Sequence, residues 1–436
     1  MAEWSPAARL KNIMSLSLRP STIPPEQSVG IVLSGGGARG AYEAGVVAGI
    51  MEVLRPRRAP FNVLCGTSVG ALNAAYLASH AHLPDMNAAG LISQWQALDL
   101  NRHLRLDVRG LLGISRNFSV KRPLHEKTEA HMPRYAGRSL LDTGALEAVV
   151  KNAVNWSHLH SNVQSGRVRA LIIAALQIGS GNTTLFAELT PGQEYKAGRD
   201  VRRQPVMDSI SPDHVLASAA IPLMFPARRV GTEYYCDGGV RYNTPIAPAI
   251  RAGARRLVVI SLLAKNPSSH TTVALEDKLQ AFRSPIFLIG KVLNALLLDP
   301  LDYDLQVLSR FNRLLEVLES TLSPADLQRV NHVMQEERGL DYRRVDTLVF
   351  RPSRDIGELA RERAPHLKAS VFSSWLLART ASLGAIWESD LLSFILFDAE
   401  FARQLVQLGR DDTVARAEDI CRFFKVPMRQ SRMPGR

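Results

Sequence analysis

The sequence predicts an α/β fold in which a parallel sheet is covered by helices and followed by a mostly helical C-terminal part. Two successive segments with the order strand, loop, helix support this prediction. In the first, the apolar run Val29–Leu33 precedes a glycine-rich loop and a helix over Ala41–Leu54, whose apolar residues recur at helical spacing. In the second, a strand over 61–65 precedes a turn and an alanine-rich helix over 71–79. Successive units of this kind pair their strands in parallel.

Further elements extend the sheet to about residue 264. Buried or alternating strands are predicted over three segments: 168–178, Thr183–Leu189 and 257–263. A helix is predicted over 139–150, with Asp142 and Thr143 as candidates for its N-cap. The irregular, basic segment between these units, 84–138, is either a lid over the core or a variable surface loop.

The remainder of the chain is mostly helical in pattern. Helices are predicted over 274–322 and 366–424, with one short strand, Asp346–Phe350, between them. A cluster of Asn, Pro and Ser marks a boundary near 264–272. We therefore expect a flexible tail over 1–27, an α/β domain over 28–264 and a helical extension over 265–436.

The charge balance predicts an anionic partner. The chain has 53 Lys and Arg against 41 Asp and Glu, a formal net charge of +12, among 436 residues of ordinary globular composition. Nucleic acid, an anionic lipid surface and an acidic substrate all fit that charge. With only 6% aromatic residues, stacking on single-stranded nucleic acid is disfavoured. The basic residues also occur as scattered pairs: Arg57/Arg58, Arg202/Arg203, Arg228/Arg229, Arg255/Arg256 and Arg343/Arg344.

Cysteine usage and hydropathy predict a cytoplasmic protein that is soluble or peripheral to a membrane. Cys65, Cys236 and Cys421 are far apart and show no C-x-x-C spacing, so a reducing compartment is expected. The most apolar later stretch, 285–298, contains Lys291 and is shorter than the roughly 20 residues that a transmembrane helix needs.

The first loop formally matches a dinucleotide-binding motif. Residues 35–40 read G-G-G-A-R-G and satisfy G-x-G-x-x-G. That motif requires an acidic residue about 20 positions later, at the end of the second strand. The second strand instead ends in Cys65-Gly66-Thr67-Ser68. A dinucleotide-dependent oxidoreductase is therefore a weak alternative.

The second loop has the pattern of a nucleophile elbow. Residues 66–70 read G-T-S-V-G, which is G-x-S-x-G between a strand and a helix. Such a turn strains the backbone of the serine. Gly66 and Gly70 have no side chains that would clash with the neighbouring backbone. Ser68 is therefore a candidate nucleophile, although an ordinary helix N-cap would also place a serine here.

An acyl-transfer serine also needs oxyanion donors and a base. Consecutive backbone N–H groups at Gly35, Gly36 and Gly37 could bind an oxyanion, and Arg39 on the same loop could hold a phosphate or brace the loop. The histidines are scattered. Asp237 follows a short strand-like segment and precedes two glycines, a pattern that on its own also indicates a plain turn.

Taken together, four blocks resemble the patatin-like phospholipase family. They occur in the family's order: the glycine-rich loop 34–40, the G-x-S-x-G turn 66–70, the segment 217–226 with A-S-A-A-I-P and F-P, and the D-G-G turn 237–239. The resemblance covers about 29–263 and implies a three-layer α/β/α fold. The domain over 28–264 would then be the catalytic one.

The resemblance also implies a role for each matching residue. Ser68 would be the nucleophile and Asp237 the base that acts on it directly, without a histidine. Backbone N–H groups of the first loop would bind the oxyanion, and Arg39 would match the family's basic position and contact substrate or phosphate. The remaining motif glycines would be Gly40, Gly66, Gly70, Gly238 and Gly239.

The implied activity is hydrolysis of carboxylic esters in phospholipids, lysophospholipids or neutral lipids through an acyl-enzyme. This chemistry requires no metal and no cofactor, so calcium independence is expected. The positive charge would favour peripheral contact with an anionic membrane, and no nucleic-acid partner is expected. A lipid-surface binding module without turnover is the alternative on the same fold.

Overall fold

The computed structural model describes residues 24–99, 105–106, 133–136, 141–142, 144–222, 224–264, 301–338, 343–367 and 389–427. The predicted tail up to residue 23, most of the 100–140 segment and the apolar stretch 285–298 lie outside the described residues. None of the described helices is long and apolar enough to cross a bilayer.

The described strands form one large mixed sheet and a small ribbon. The strands are β1 (Val29–Leu33), β2 (Val63–Thr67), β3 (Arg105–Leu106), β4 (Tyr135–Ala136), β5 (Leu141–Asp142), β6 (Ala170–Gln177), β7 (Thr183–Leu189), β8 (Arg203–Met207), β9 (Ala227–Val230), β10 (Glu233–Asp237), β11 (Arg256–Ile260) and β12 (Asp346–Phe350). The order in the large sheet is β12-β11-β1-β2-β6-β10-β9-β4, and β7 lies on the other edge of β6 with β8 beyond it. Strands β12, β11, β1, β2 and β6 are parallel, whereas β3 and β5 form the separate ribbon.

Helices cover both faces of the sheet. They are α1 (Ala41–Leu54), α2 (Val69–Ser79), α3 (Ala88–Gln96), α4 (Gly144–Ala153), α5 (Trp156–Gln164), α6 (Pro212–Ser218), α7 (Gly239–Tyr242), α8 (Ile246–Arg251), α9 (Leu301–Thr321), α10 (Pro324–Arg338), α11 (Ile356–Arg363), α12 (Ser389–Ile395), α13 (Ala399–Val414) and α14 (Ala417–Phe424). Short 3₁₀ turns occur at Pro25–Gln27, Gly37–Gly40 and Ala364–His366.

Alternation along the central strands separates two apolar cores. In β1, the side chains of Ile31 and Leu33 pack into the core shared with α1 and α2, whereas Val32 packs into the core shared with α8. The parallel strands are buried on both faces because helices cover both sides of the sheet. The predicted three-layer α/β/α class is therefore confirmed.

Several predicted elements have the observed bounds. Strands Val29–Leu33 and Asp346–Phe350 and helix Ala41–Leu54 begin and end where the sequence predicts. The strand predicted over 61–65 is shifted to Val63–Thr67. Asn62 precedes it, and its side-chain oxygen accepts from the N–H of Val29 at 3.1 Å. In the segment 84–138, helix α3 packs against α1.

Strand β6 determines where the two candidate catalytic residues meet. Along one edge it pairs first with β2, ending with Thr67 opposite Ala174, and then with the antiparallel β10, ending with Asp237 opposite Ala175. Strands β2 and β10 therefore run toward each other and end at adjacent positions on β6. Ser68, the residue after β2, lies next to this junction.

The C-terminal part packs closely on the α/β core. Strand β12 extends the sheet beside β11, and α13 makes the most extensive helix-helix contact of the described residues, with α1. Gly45 in α1 and Gly409 in α13 lie where the two backbones approach. A Cβ on Gly45 would be 2.2 Å from the carbonyl oxygen of Val406.

We predict that Gly45→Ala destabilises the protein by roughly 2 to 3 kcal/mol, because the added methyl group must push α13 away from α1. Alanine normally stabilises a helix relative to glycine, so a loss of stability would identify the close contact as its cause. The measurement is urea unfolding, with Gly179→Ala as the control, since an added Cβ there meets only a side-chain oxygen at 3.6 Å. An unchanged midpoint for Gly45→Ala would contradict the prediction.

Candidate active site

The turn after β2 holds Ser68 in a strained conformation. Its φ of 54° lies in a region that residues other than glycine rarely adopt. The chain turns sharply enough here that a Cβ on Gly66 would be 2.2 Å from the oxygen of Gly70. A Cβ on Gly70 would be 2.4 Å from the oxygen of Leu33. The flanking glycines thus let β1, β2 and α2 approach closely around the serine, as a nucleophile elbow requires.

Asp237 ends β10 and is completely buried. Its Oδ1 accepts the N–H of Gly239 at 2.7 Å, and its Oδ2 has no well-directed hydrogen bond from any described residue. Burial raises the pKa of this carboxyl to about 7, and interactions with the Ser68 side chain and the Gly239 N–H oppose part of that rise. The structure therefore brings Ser68 and Asp237 together, with one carboxylate oxygen free of other well-directed partners.

Ser218, at the end of α6, joins the two sides of this arrangement. Its buried hydroxyl accepts the N–H of Ser68 at 2.8 Å and donates to the oxygen of Ala174 at 2.6 Å. Its own carbonyl accepts the N–H of Gly238 at 3.3 Å. The segment 217–222 therefore connects the serine turn, β6 and the D-G-G turn through hydrogen bonds.

Asn243 anchors the start of the glycine-rich loop. Its Oδ1 accepts the N–H of Gly35 at 2.8 Å, and its Nδ2 donates to the carbonyl of Gly35 at 3.2 Å. The N–H of Gly35 is thus engaged in this structure. The N–H groups of Gly36 and Gly37 have no recorded acceptor among the described residues, so they are the loop's available donors.

A buried carboxyl supports the same loop from helix α1. Glu43 is completely buried and accepts the N–H of Ser34 at 2.7 Å and the side-chain amide of Asn73 at 2.8 Å. Burial raises the pKa of Glu43 well above its usual range. The same amide donates to the carbonyl of Gly40 at 3.2 Å, and the indole of Trp95 donates to Asn73 Oδ1 at 3.0 Å. Both ends of the loop are therefore held by side chains from α1 and α2.

Arg39 lies under the C-terminal part of the chain. The side chain is 3% exposed, its Nε donates to the hydroxyl of Ser393 at 2.7 Å, and its guanidinium lies 4.3 Å from the centre of the Phe394 ring. These contacts correspond to bracing, one of the two roles that the sequence left open. They also place helix α12 directly on the glycine-rich loop.

Other candidate groups do not take part. No described histidine hydrogen-bonds to Ser68 or Asp237. Cys65 and Cys236 are buried, and burial raises the pKa of both thiols, in Cys236 to about 12. Protonated thiols are poor nucleophiles, so the cysteines act as small apolar residues. Within the described part of the chain, no group of three His, Cys, Asp or Glu side chains is placed to hold a metal.

The sequence reasoning missed four residues that support the site. Ser218 lies in the A-S-A-A-I-P block, but nothing in that block alone indicates which backbone groups its hydroxyl meets. Asn243 follows Asp237 by six positions, beyond the D-G-G turn. Glu43 and Asn73 are polar residues within apolar helices, and this isolation is the signal that could have identified them.

Comparisons with known proteins identify the family of the chain. A family model described as patatin-like phospholipase matches residues 31–250. The chain is 29% identical over 223 residues to the cGAMP-activated phospholipase of Pseudomonas aeruginosa, covering 49% of this chain and 53% of that protein. It is 41% identical over 81 residues to Lysophospholipase NTE1 of Chaetomium globosum, covering 17% of this chain and 5% of that protein.

The chain thus spans about half the length of one of these relatives and a small part of the other. Among solved structures, VipD from Legionella pneumophila is similar with a TM-score of 0.30 and 13% identity, over 87% of this chain and 67% of that chain. The family model covers half of the chain and includes Ser68 and Asp237. The chain belongs to the patatin-like phospholipase family.

Proposed function

We propose that this protein is a lipid acyl hydrolase that cleaves carboxylic esters with Ser68 as nucleophile and Asp237 as base. The observation that supports this most directly is the buried Asp237 carboxyl beside a strained serine, at the junction of β2 and β10. Family membership and the names of the two relatives support a lipid ester as the substrate class.

The proposed reaction uses Asp237 as base and then as acid. Its carboxylate takes the proton of the Ser68 hydroxyl as Oγ attacks the ester carbonyl. The N–H groups of Gly36 and Gly37 donate hydrogen bonds to the oxyanion, and the tetrahedral intermediate collapses to an acyl-enzyme. Asp237 returns the proton to the leaving alcohol. The carboxylate then takes a proton from a water molecule as the water oxygen attacks the acyl-enzyme carbonyl. Asp237 returns this proton to Ser68 Oγ as the bond between Oγ and the acyl group breaks and the fatty acid leaves.

Burial gives Asp237 a pKa suited to this role. An ordinary carboxyl is too weak a base for a serine at neutral pH, whereas a base with a pKa near the working pH combines the correct protonation state with useful strength. The carboxyl of Asp237 has a pKa raised to about 7 by burial. No metal and no cofactor enters the proposed reaction.

Membrane contact is part of the proposal. A net charge of +12 favours approach to anionic lipid surfaces through the negative potential of such membranes. The competing hypothesis is a lipid-surface module that binds but does not turn over. The presence of both Ser68 and Asp237 favours the enzyme.

The decisive experiment measures fatty-acid release in the presence of EDTA. The substrate is vesicles of phosphatidylglycerol whose sn-1 and sn-2 acyl chains differ. We expect Ser68→Ala and Asp237→Asn each to lower the rate by at least about 1,000-fold, because the two residues act on one proton transfer. The control is Ser209→Ala, which removes an exposed serine hydroxyl outside the site.

The outcomes of this assay separate the hypotheses. Vesicle binding without release by wild type, and no hydrolysis of short-chain esters, would favour the binding module. Full activity in Ser68→Ala would mean that another residue is the nucleophile. Slower release from zwitterionic than from anionic vesicles is expected if the positive charge guides the protein to membranes.

The raised pKa of Asp237 also predicts a pH-dependent stability difference. The pKa of Asp237 is about 7 in the folded state and 3.8 ordinarily, so between about pH 4 and 7 the folded state binds more protons than the unfolded state. The free energy of unfolding therefore falls as the pH rises through this range. Asp237→Asn removes this loss. We expect its advantage over wild type in unfolding free energy to grow by roughly 3 kcal/mol between pH 5 and pH 8, measured by urea unfolding.

The control for that measurement is Asp326→Asn, which changes an exposed carboxylate on α10. It should follow the wild-type dependence on pH. An advantage of Asp237→Asn that stays constant from pH 5 to pH 8 would argue against a raised carboxyl pKa.

Ser218 is expected to act as a positioning residue. Ser218→Ala leaves the Ser68 N–H and the Ala174 carbonyl without their partner, so the serine turn should relax and kcat should fall by about 10- to 100-fold with little change in KM. Ser218→Thr keeps the hydroxyl and should recover much of the loss. The matched control is Ser79→Ala, a buried serine that bonds to the carbonyl of Tyr76.

Steady-state kinetics and urea unfolding of both alanine variants check this role. If Ser79→Ala and Ser218→Ala lose equal stability but only Ser218→Ala loses kcat, positioning is supported. Equal losses of kcat would assign the effect to general destabilisation.

A further inference from the structure

A basic cleft lies at the N-terminal ends of the parallel strands, and the candidate active site lies at their C-terminal ends. Val29, Arg256 and Asp346 are neighbours in register at the starts of β1, β11 and β12, and all three line the cleft. Ser34 and Ser68 follow the other ends of β1 and β2. The length of β1 separates the two places by roughly 15 Å.

The cleft has the size of a ligand site and an excess of positive charge. Its volume is about 740 Å³, within the range of small-molecule pockets. Two carboxylates line it, those of Glu26 and Asp346. Six cationic side chains line it: Arg57, Arg58, Arg255, Arg256, Arg344 and Lys425.

Three of the scattered arginine pairs in the sequence therefore contribute to one place. Arg57 and Arg58 follow α1, Arg255 and Arg256 lead into β11, and Arg344 precedes β12. These segments are far apart along the chain, and only the parallel sheet brings them together. A compositional bias toward arginine explains the number of basic residues but not their convergence on a concave surface.

Much of this charge is not neutralised by the protein. Arg57, Arg255 and Lys425 have no recorded side-chain hydrogen bond or ion pair with any described residue. Arg344 pairs with Glu319 at 2.8 Å, and the recorded partner of Arg58 among the described residues is the neutral side chain of Gln27.

Three exposed arginines elsewhere in the described chain each pair with a carboxylate. Arg313 pairs with Glu316 at 2.8 Å, and Arg354 pairs with Glu362 at 3.0 Å. Arg329 pairs with Asp326. The cleft therefore presents several cationic side chains without a recorded acidic partner, as a binding site for an anion would.

The shape and lining indicate the class of that anion. Guanidinium groups donate paired hydrogen bonds that match phosphate oxygens. Part of the wall is apolar and includes Leu54, Pro56, Pro60 and Phe424, which could cover a ring or another flat group. A concave site with such a wall suits a small molecule better than the flat surface of a bilayer.

We propose that the cleft binds a soluble organic molecule that carries two or more phosphates. The phosphates contact Arg57, Arg255 and Lys425, and the organic part lies against the Phe424 side of the wall. This site is separate from Ser68 and Asp237, so its occupancy does not require hydrolase activity.

The test is isothermal titration calorimetry of the full chain at fixed ionic strength, with inorganic pyrophosphate and ADP as probes. We expect one binding site, with ADP at least about 3-fold tighter than pyrophosphate because its ring covers apolar wall. The double variant Arg57→Ala/Arg255→Ala should weaken ADP binding by at least about 10-fold, since it removes two charged phosphate contacts.

The matched control removes the same charge elsewhere. Arg313→Ala/Arg329→Ala changes two exposed arginines on α9 and α10 that do not line the cleft. Its affinity for ADP should stay within about 2-fold of wild type. Thermal unfolding of Arg57→Ala/Arg255→Ala without ligand should match wild type, because these two arginines make no recorded side-chain bond to a described residue. The control variant loses two exposed ion pairs, which contribute little to stability, so its unfolding should change only slightly.

Several results would overturn the proposal. If neither probe binds, or if both double variants lose ADP affinity equally, the cleft is a basic surface without a specific phosphate site. If ADP binds no more tightly than pyrophosphate, the proposed contact between the apolar wall and the organic part of the ligand is wrong. Binding to phosphatidylglycerol vesicles that depends on Arg57 and Arg255, with no binding of either soluble probe, would assign the cleft to a lipid surface instead.

Discussion

Strand β6 carries two strands end to end along a single edge, and the arrangement of the site depends on this constraint. Strand β2 arrives parallel and stops opposite Ala174, whereas β10 arrives antiparallel and stops opposite Ala175. The hydroxyl of Ser218 occupies the junction, bonded to the Ala174 carbonyl and the Ser68 N–H. Two chain segments about 170 residues apart in sequence thus end at one point. The register of β6 therefore sets the relation between the serine turn and the aspartate.

Burial gives the carboxyl groups around this junction their chemistry. Asp237 and Glu43 are both completely buried, and burial raises the pKa of both carboxyls. Their surroundings differ, since Glu43 accepts hydrogen bonds from Ser34 and Asn73, whereas Asp237 keeps an oxygen without a well-directed partner. Glu43 is suited to holding the glycine-rich loop, and Asp237 is suited to exchanging a proton. The same physical effect thus supports a structural group and a proposed catalytic group.

The C-terminal part contributes at both ends of the sheet. At one end, α12 places Ser393 and Phe394 on Arg39, which binds the glycine-rich loop to the rest of the fold. At the other end, α14 leads into Lys425 on the wall of the basic cleft. Between them, α13 packs on α1 so closely that glycine is required at the contact. Arginine is therefore used in two ways among the described residues: Arg39 is buried and contacts Ser393 and Phe394, whereas Arg57 lines the cleft without a recorded side-chain partner.

The sequence by itself determined the elements and the candidate residues, because local patterns encode them. Apolar spacing placed Val29–Leu33 and Ala41–Leu54, and the four motif blocks taken together, rather than either turn alone, pointed to Ser68 and Asp237. Only the tertiary structure decided which of these residues meet. The pairing of β10 with β6, the bond from Ser218 to Ser68 and the position of Arg39 under α12 all join segments that are distant along the chain. Long-range contacts of this kind depend on strand order and register, which no local spacing records.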